Sequence, residues 1–237
     1  LAFIIPDSIF NNPYLQLLRN RIHSSGKIIH LERLPNRFTK TTYNTVLLVF
    51  QKNNKTKCEY LYNHYKFPLY TTDLTLYKNI YQKSTNLNNL RANVRIGNFC
   101  PSLLRTSDNT CIPIIYYKNI NQDNCLQLYK NNKQYLHSNE TFCRINNKPS
   151  LLFHRVVGNK NNPYNFTYAS CTLEKYMCSE SLYIITFPDL TNEKAVMLIH
   201  SIVKSLQNEK TKTWARYFIK DSYISKFQIK YYLPIFL

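Results

Sequence analysis

The chain has 237 residues, 44% of them hydrophobic, with 31 Lys+Arg against 13 Asp+Glu and a formal net charge of +18. That length and apolar content suit one large domain or two modest ones with a real core, and they exclude wholesale disorder. No apolar run approaches the ~18 residues that a bilayer span requires, and the first residues lack a basic stretch and cleavage site, so neither a membrane anchor nor a signal peptide is predicted.

In chain order, Ala2 to Ile5 is a short continuous apolar run, the pattern of a strand buried on both faces, ended by Pro6 and Asp7. Opening inside such a strand without an initiator Met, the sequence reads as the middle of a longer protein. Leu15, Leu17, Leu18 and Ile22 recur at helical spacing, and Ser24-Ser-Gly26 closes that helix. Strands follow at Lys27–Leu31 and Val46–Phe50, with a basic polar loop from Arg33 to Thr42 between them. The pattern predicts a β-α-β-loop-β edge of an α/β sheet. Gln51–Cys58 is a polar linker, and the Tyr-rich stretch 59–90 predicts an irregular connector with a short helix around Thr72–Ser84.

From Asn93 onward the texture is short strands and turns: Val94–Ile96, Ile112–Tyr117, Leu151–Val157, Phe166–Ala169 and Leu182–Phe187. Thr191 then opens a helix as its N-cap, with Glu193 in the first turn. Ala195, Leu198, Ile199, Ile202, Val203 and Leu206 make its apolar stripe, a core face rather than a cofactor site. A second helix is predicted from about Thr213, and no internal repeat is present.

The cation surplus favours a polyanionic partner, because neutralised phosphates release condensed counterions. An AT-rich coding sequence would also raise Lys, but it would raise Glu with it, and acids here are scarce. Only three glycines occur, Gly26, Gly97 and Gly158, each isolated. A nucleotide or S-adenosylmethionine pocket of the usual kind needs a Gly-rich turn, so none is predicted in this chain. Seven cysteines (Cys58, Cys100, Cys111, Cys125, Cys143, Cys171, Cys178) show no CxxC spacing, which predicts reduced thiols in a cytoplasmic protein and no zinc knuckle. The matches to N-x-[ST] at Asn54, Asn139 and Asn165 are what chance gives in so Asn-rich a chain. The six histidines form no i,i+4 metal pair, and the acids form no nuclease pattern.

Taken together and in order, these segments resemble the carboxy-terminal half of gamma-class, Taq-type adenine-N6 DNA methyltransferases and the type IIG restriction–modification proteins built on them. The residues that carry the likeness are Phe3-Ile-Ile-Pro6, Leu17-Leu-Arg19, Ile28-Ile-His-Leu31, Phe38 and Val46 to Lys52 in the first part. They continue with Val94-Arg-Ile-Gly97, Ile112 to Ile120, Lys148 to Gly158, Ala195–Leu206 and Leu233-Pro-Ile235. The resemblance covers nearly the whole chain. It implies a fold made of the α/β edge of a Rossmann-like methyltransferase sheet followed by an α+β, strand-rich target-recognition domain with C-terminal helices. The implied divisions are 1–57 (end of the catalytic domain), 58–90 (connector) and 91–237 (recognition domain).

The family's cofactor motif and catalytic Asn-Pro-Pro-Tyr are missing from the sequence. Asn11-Asn-Pro-Tyr14 and Asn161-Asn-Pro-Tyr164 lack the second proline and stand at the wrong place in the order. The chain alone is therefore expected to be inactive and to bind no S-adenosylmethionine, which would belong to a missing N-terminal half or subunit. Its expected partners are that half and double-stranded DNA. The resemblance makes Arg91, Arg95, Arg105, Lys118, His154, Arg155 and Lys160 candidate DNA contacts, with Asn119, Asn121 and Gln122 suited to adenine. Lys210, Lys212 and Arg216, in a polar connection, are candidate phosphate anchors, and the loop from Arg33 to Lys40 is a candidate DNA contact from the methyltransferase side. A reading from another class stays open: a basic RNA- or ribosome-associated protein of an AT-rich genome, which does not predict the opening α/β edge.

Overall fold

Two units make up the chain, Leu1–Gln82 and Lys83–Leu237, and the division falls inside the stretch read as a connector. The computed structural model describes residues 1–34, 44–64, 67–98, 105–106, 108–109, 111–129, 134–136, 144–158, 164–219 and 223–237, at 67, 105 and 106 the backbone only. Loop residues 35–40, Lys160, Cys100 and Cys143 lie outside the described residues.

In the first unit the predicted order is present: β1 (Ala2–Pro6), α1 (Gln16–Ser25), β2 (Gly26–Leu34) and β3 (Thr45–Lys52). β3 pairs antiparallel with both β1 and β2, so the sheet order is β1-β3-β2. β1 and β2 therefore run parallel, with a helix in the connection that parallel strands require, and the last strand fills the gap between them. Val46 and Leu48 of β3 alternate into a core with Ile9, Phe10, Ile28, Leu31 and Tyr70.

β1 departs from expectation. Read as a strand buried on both faces, it leaves Leu1, Phe3 and Ile4 exposed, the last at 56%. The cause is its position: it pairs with β3 along one edge and has no second neighbour among the described residues. Gly26 does end α1, but not by a left-handed turn, since its φ of 168° is extended backbone. The constraint is steric, because a Cβ there would lie 2.2 Å from the Gln51 carbonyl oxygen and 2.7 Å from the Phe50 ring.

Arg19 is the unexpected centre of this unit. It is 0% exposed, yet its guanidinium donates to the carbonyls of Pro68 (2.9 Å), Ile9 (3.2 Å) and Asn12 (2.8 Å) and to Oε1 of Gln16 (3.3 Å). The hydroxyl of buried Tyr70 donates to the Arg19 carbonyl (3.1 Å), and burial raises its pKa. One planar five-donor fork thereby ties three separated segments together. The Tyr-rich stretch is ordered as a hairpin, β4 (Leu61–His64) with β5 (Phe67–Tyr70), and α2 (Leu74–Tyr81), whose first turn is capped by the Asp73 carboxylate at the Leu76 N–H (2.8 Å). Tyr62 stacks on Tyr81 with centroids 5.5 Å apart, and His64 lies on the same ring.

The second unit holds β6 (Asn93–Ile96), β7 (Arg105–Thr106), β8 (Ile112–Ile115), β9 (Tyr135–Leu136), β10 (Ser150–His154), β11 (Tyr168–Cys171), β12 (Met177–Cys178), β13 (Leu182–Thr186), α3 (Asn192–Leu206) and α4 (Glu209–Phe218). One sheet, β11-β10-β13-β6, is antiparallel throughout, and the other is β12-β8-β9-β7 with β12 parallel to β8. Every residue of β13 is buried because both faces of the first sheet are covered. On one side Leu152, Ala169, Cys171, Leu182 and Ile184 pack with Ile115, Tyr176 and Cys178 from the β8–β12 region. On the other, α3 packs on β10 and β11 through a stripe that includes Ile199, Ile202 and Leu206. Thr191 caps α3 as predicted, its hydroxyl accepting from the Lys194 N–H (3.5 Å).

α4 starts at Glu209, four residues before the predicted point, because the Asn208 side chain caps the Lys210 N–H (2.9 Å). Its inner face centres on fully buried Trp214, stacked on Phe218 (5.3 Å) and near Phe166 (6.4 Å). Gly97 allows a second close approach: a Cβ there would sit 2.1 Å from the Ser179 carbonyl oxygen and 2.6 Å from that of Cys178. The fold is thus an α/β mixture of several antiparallel sheets with a few helices. Among the described residues no helix is long and apolar enough to cross a membrane, and no group of His, Cys, Asp and Glu is placed to hold a metal. Cys171 and Cys178 are buried, which pushes the Cys171 thiol up to about 12 and raises Cys178 as well, so both stay protonated and unreactive.

Candidate nucleic-acid interface

The end of the antiparallel sheet where β10 finishes brings together four of the predicted residues of the second unit, Lys118, Asn119, His154 and Arg155. His154 opposes Leu182 of β13, Arg155 follows it, and the Gly97 N–H donates to the Leu182 carbonyl (2.9 Å). The Ser179 N–H donates to the Ile115 carbonyl (2.9 Å), which brings the turn after β8, Tyr116 to Asn119, to the same end. Tyr117 lies on His154 there, ring centroids 4.9 Å apart and planes at 17°. Lys118 sits 5.5 Å from the centre of the Tyr116 ring, and the Tyr129 hydroxyl donates to its carbonyl (3.3 Å).

The predicted residues differ in what they can do. Asn119 is 0% exposed, its side-chain oxygen accepting from the Tyr116 N–H (2.9 Å) and its NH2 donating to the Gln127 carbonyl (2.9 Å). It therefore fixes the turn and offers no edge to a base, which corrects its reading as a reader. Arg155 is a clamp within the unit: its guanidinium lies over the Tyr183 ring (5.5 Å) and the Tyr223 ring (5.0 Å), and it donates to the Glu180 carbonyl (2.9 Å). His154 is half-buried, and that desolvation lowers its pKa below the ordinary 6.5 against a hydrogen bond with the Val156 backbone, so it is a neutral ring rather than a cation at pH 7. Arg95, on β6, has its Nε buried without a hydrogen-bond partner, and desolvation followed by the charge of Arg144 lowers its pKa. Arg91 precedes β6, hence lies at the opposite end of the sheet, in an exposed pair with Asp189 at 3.9 Å. Arg105 is on β7, where the backbone alone is described, and Lys160 lies outside the described residues.

Lys210, Lys212 and Arg216 stand on a helix rather than in a polar connection, with Lys212 paired to Glu209 (2.6 Å) and Lys210 over the Phe236 ring (5.8 Å). Lys212 and Asn121, far apart in sequence, line one cleft of about 670 Å³ with Gln122, Asn124, Asn165, Thr167, Tyr168 and Gln207. The Asn121 side-chain oxygen accepts from the N–H groups of Asp123 (3.0 Å) and Cys125 (2.8 Å), and that of Asn124 from the Tyr168 N–H (3.1 Å). Backbone donors thus commit the oxygens of both amides, and those bonds leave the NH2 groups unused. Sequence reasoning did not find Tyr117, Asn124, Asn165 or Gln207. The only local signal was the Tyr116-Tyr117-Lys118 run, an aromatic pair beside a cation.

The proline-containing strings are structural where described. The Asn12 side chain caps the Tyr14 N–H (2.9 Å) at a short 3-10 turn begun by Pro13, and Tyr14 is 92% exposed.

The low pKa of His154 has a measurable consequence. Below pH 6.5 the unfolded histidine takes up a proton that the folded one refuses, so its contribution is complete above that pH and is lost as pH falls through the window down to its folded pKa. The urea midpoint of His154→Gln is accordingly expected to drop less between pH 7 and pH 5 than that of the parent chain. Compared with known proteins, the chain matches no family model and no curated sequence.

Proposed function

We propose that this chain is the sequence-reading part of an adenine-specific N6 DNA methyltransferase of a restriction–modification system. In this reading it works with a methyltransferase half or subunit that binds S-adenosylmethionine and carries the chemistry. The observation that carries the proposal is the open apolar edge of β1. A parallel β-α-β unit with its third strand inserted between the other two ends in a strand that, among the described residues, is paired on one side only and exposes Phe3 and Ile4. An apolar strand of that kind is at home inside a sheet covered by further strands and helices.

The second unit supports the other half of the reading, because it brings Lys118, His154 and Arg155 to one sheet end beside a cleft lined by amides and Lys212. Lys118, Lys210, Lys212, Arg216 and Arg91 are phosphate anchors in this account, while Asn121 and Arg95 remain candidates for base contact. Binding of the chain to duplex DNA is expected to weaken steeply with salt, log affinity falling with log salt by roughly 0.9 for each phosphate neutralised. Fluorescence anisotropy across a salt series measures that slope, and a flat response overturns the proposal. In calorimetry the chain alone is expected to give no stoichiometric S-adenosylmethionine binding.

A further inference from the structure

We propose that Tyr117, backed by His154, is a platform on which an unstacked nucleobase lies. The inference rests on the reading of this chain as a nucleic-acid-binding protein and adds to it a specific ligand, the flat face of a base outside its helical stack. Tyr117 is 54% exposed although one of its ring faces is covered by the His154 ring at 4.9 Å and 17°. It makes no other ring contact among the described residues, and more than half of its surface remains exposed to a ligand. An exposed aromatic costs solvent ordering around apolar area, and a flat partner removes that cost.

The platform is rigid. Tyr117 belongs to a 3-10 turn closed by the Ile120 N–H on the Tyr117 carbonyl (3.0 Å) and fixed from below by buried Asn119. His154 ends β10, and its N–H donates to the Thr167 carbonyl (2.8 Å). Little freedom is left to lose when a ligand stacks.

Its surroundings suit a nucleotide. Thr167 also lines the 670 Å³ cleft, so the stack stands beside a recess lined by Asn121 and Asn124, whose amides are fixed by backbone donors to their oxygens, together with Lys212. Amide donors match the ring-nitrogen and carbonyl acceptors on base edges. Lys118, next in sequence to the platform, supplies a cation for the adjoining phosphate. Because His154 is neutral at pH 7, the stack acts through its rings and not through a second charge.

The test uses the full chain and three labelled probes: a fully paired DNA duplex, the same duplex with one unpaired base, and the corresponding single-stranded RNA. The parent is expected to bind the duplex with the unpaired base about tenfold more tightly than the paired one, the scale of one base–aromatic stack. Tyr117→Ala should abolish that preference while leaving affinity for the paired duplex and its salt slope unchanged. Tyr117→Phe should keep it, and Lys118→Ala should lower the salt slope by about one without touching the preference. Circular dichroism of each variant confirms that the fold is retained. Equal preference in the parent and Tyr117→Ala, or none in the parent, overturns the platform while steep salt-dependent duplex binding leaves the proposed function standing. Preference for the RNA alone overturns the DNA assignment of the platform, and binding to none of the probes overturns both.

Discussion

Replacing Arg19 by methionine is expected to destabilise the chain by about 3–5 kcal/mol, the scale for removing one member of a fully buried, hydrogen-bonded charged network. Methionine can occupy the volume, but it leaves the carbonyls of Pro68, Ile9 and Asn12 in a dry interior without the donor that now satisfies them. Each unsatisfied buried acceptor costs about 1–3 kcal/mol, so the partial relief from burying an uncharged side chain does not offset the loss. Lysine should recover only a fraction, because an ammonium is a point donor and cannot reach three carbonyls held at the angles of a guanidinium fork. Urea unfolding followed by far-ultraviolet circular dichroism measures the effect. The fluorescence of Trp214, the only tryptophan, belongs to the second unit and is expected to move less. An unchanged dichroism midpoint in Arg19→Met would remove Arg19 from the centre of the fold.

A comparable loss, about 3–5 kcal/mol, is expected for Trp214→Ala, the range measured for truncating large buried aromatics. The indole is fully buried between Phe218 of its own helix and Phe166, and Phe218 passes the contact on to Tyr232 (6.1 Å). Phe166 also lines the cleft, and α4 supplies Lys212 to its wall. Truncation is therefore expected to act on stability and cleft together and, under the proposed function, to weaken affinity for DNA where a surface change of equal cost would not. Trp214→Phe, which retains a stacked ring at a smaller volume, should lose less than half as much in dichroism-monitored melts. If Trp214→Ala melts with the parent, the aromatic column is not what holds α4 to the sheet.

Some of this was legible in the sequence, for reasons that differ by element. α3 announced itself through a stripe at helical spacing and a Thr191 cap, two independent signals that agree. The long strands of the second unit were visible as β-branched and aromatic runs between turn residues. β7, β9 and β12 were not, because two residues carry no periodicity. The β4–β5 hairpin was hidden by Pro68 and by tyrosines, which suit a core and a surface equally. At the candidate interface, residue type marked where cations and amides were, but it could not show which way they face. Asn119 and Asn121 are two positions apart and chemically identical, yet one is sealed by the Gln127 carbonyl eight residues later and the other borders the cleft. Arg19 was read only as part of a motif, since nothing local reveals that three distant carbonyls converge on it.

The uncovered flank of β1 bears on how the chain lives in a cell. Leu1, Phe3, Ile5, Leu18 and Ile22 border an apolar recess of about 310 Å³ between strand and helix, and the other side of the same strand has no paired neighbour among the described residues. Chaperones and proteases act on surfaces of that kind, and so does a second copy of the same strand. Left unpaired, such a strand favours aggregation, and covered by the protein's own chain or by another it does not. The five residues of β1 thus set a requirement for cover, whatever supplies it.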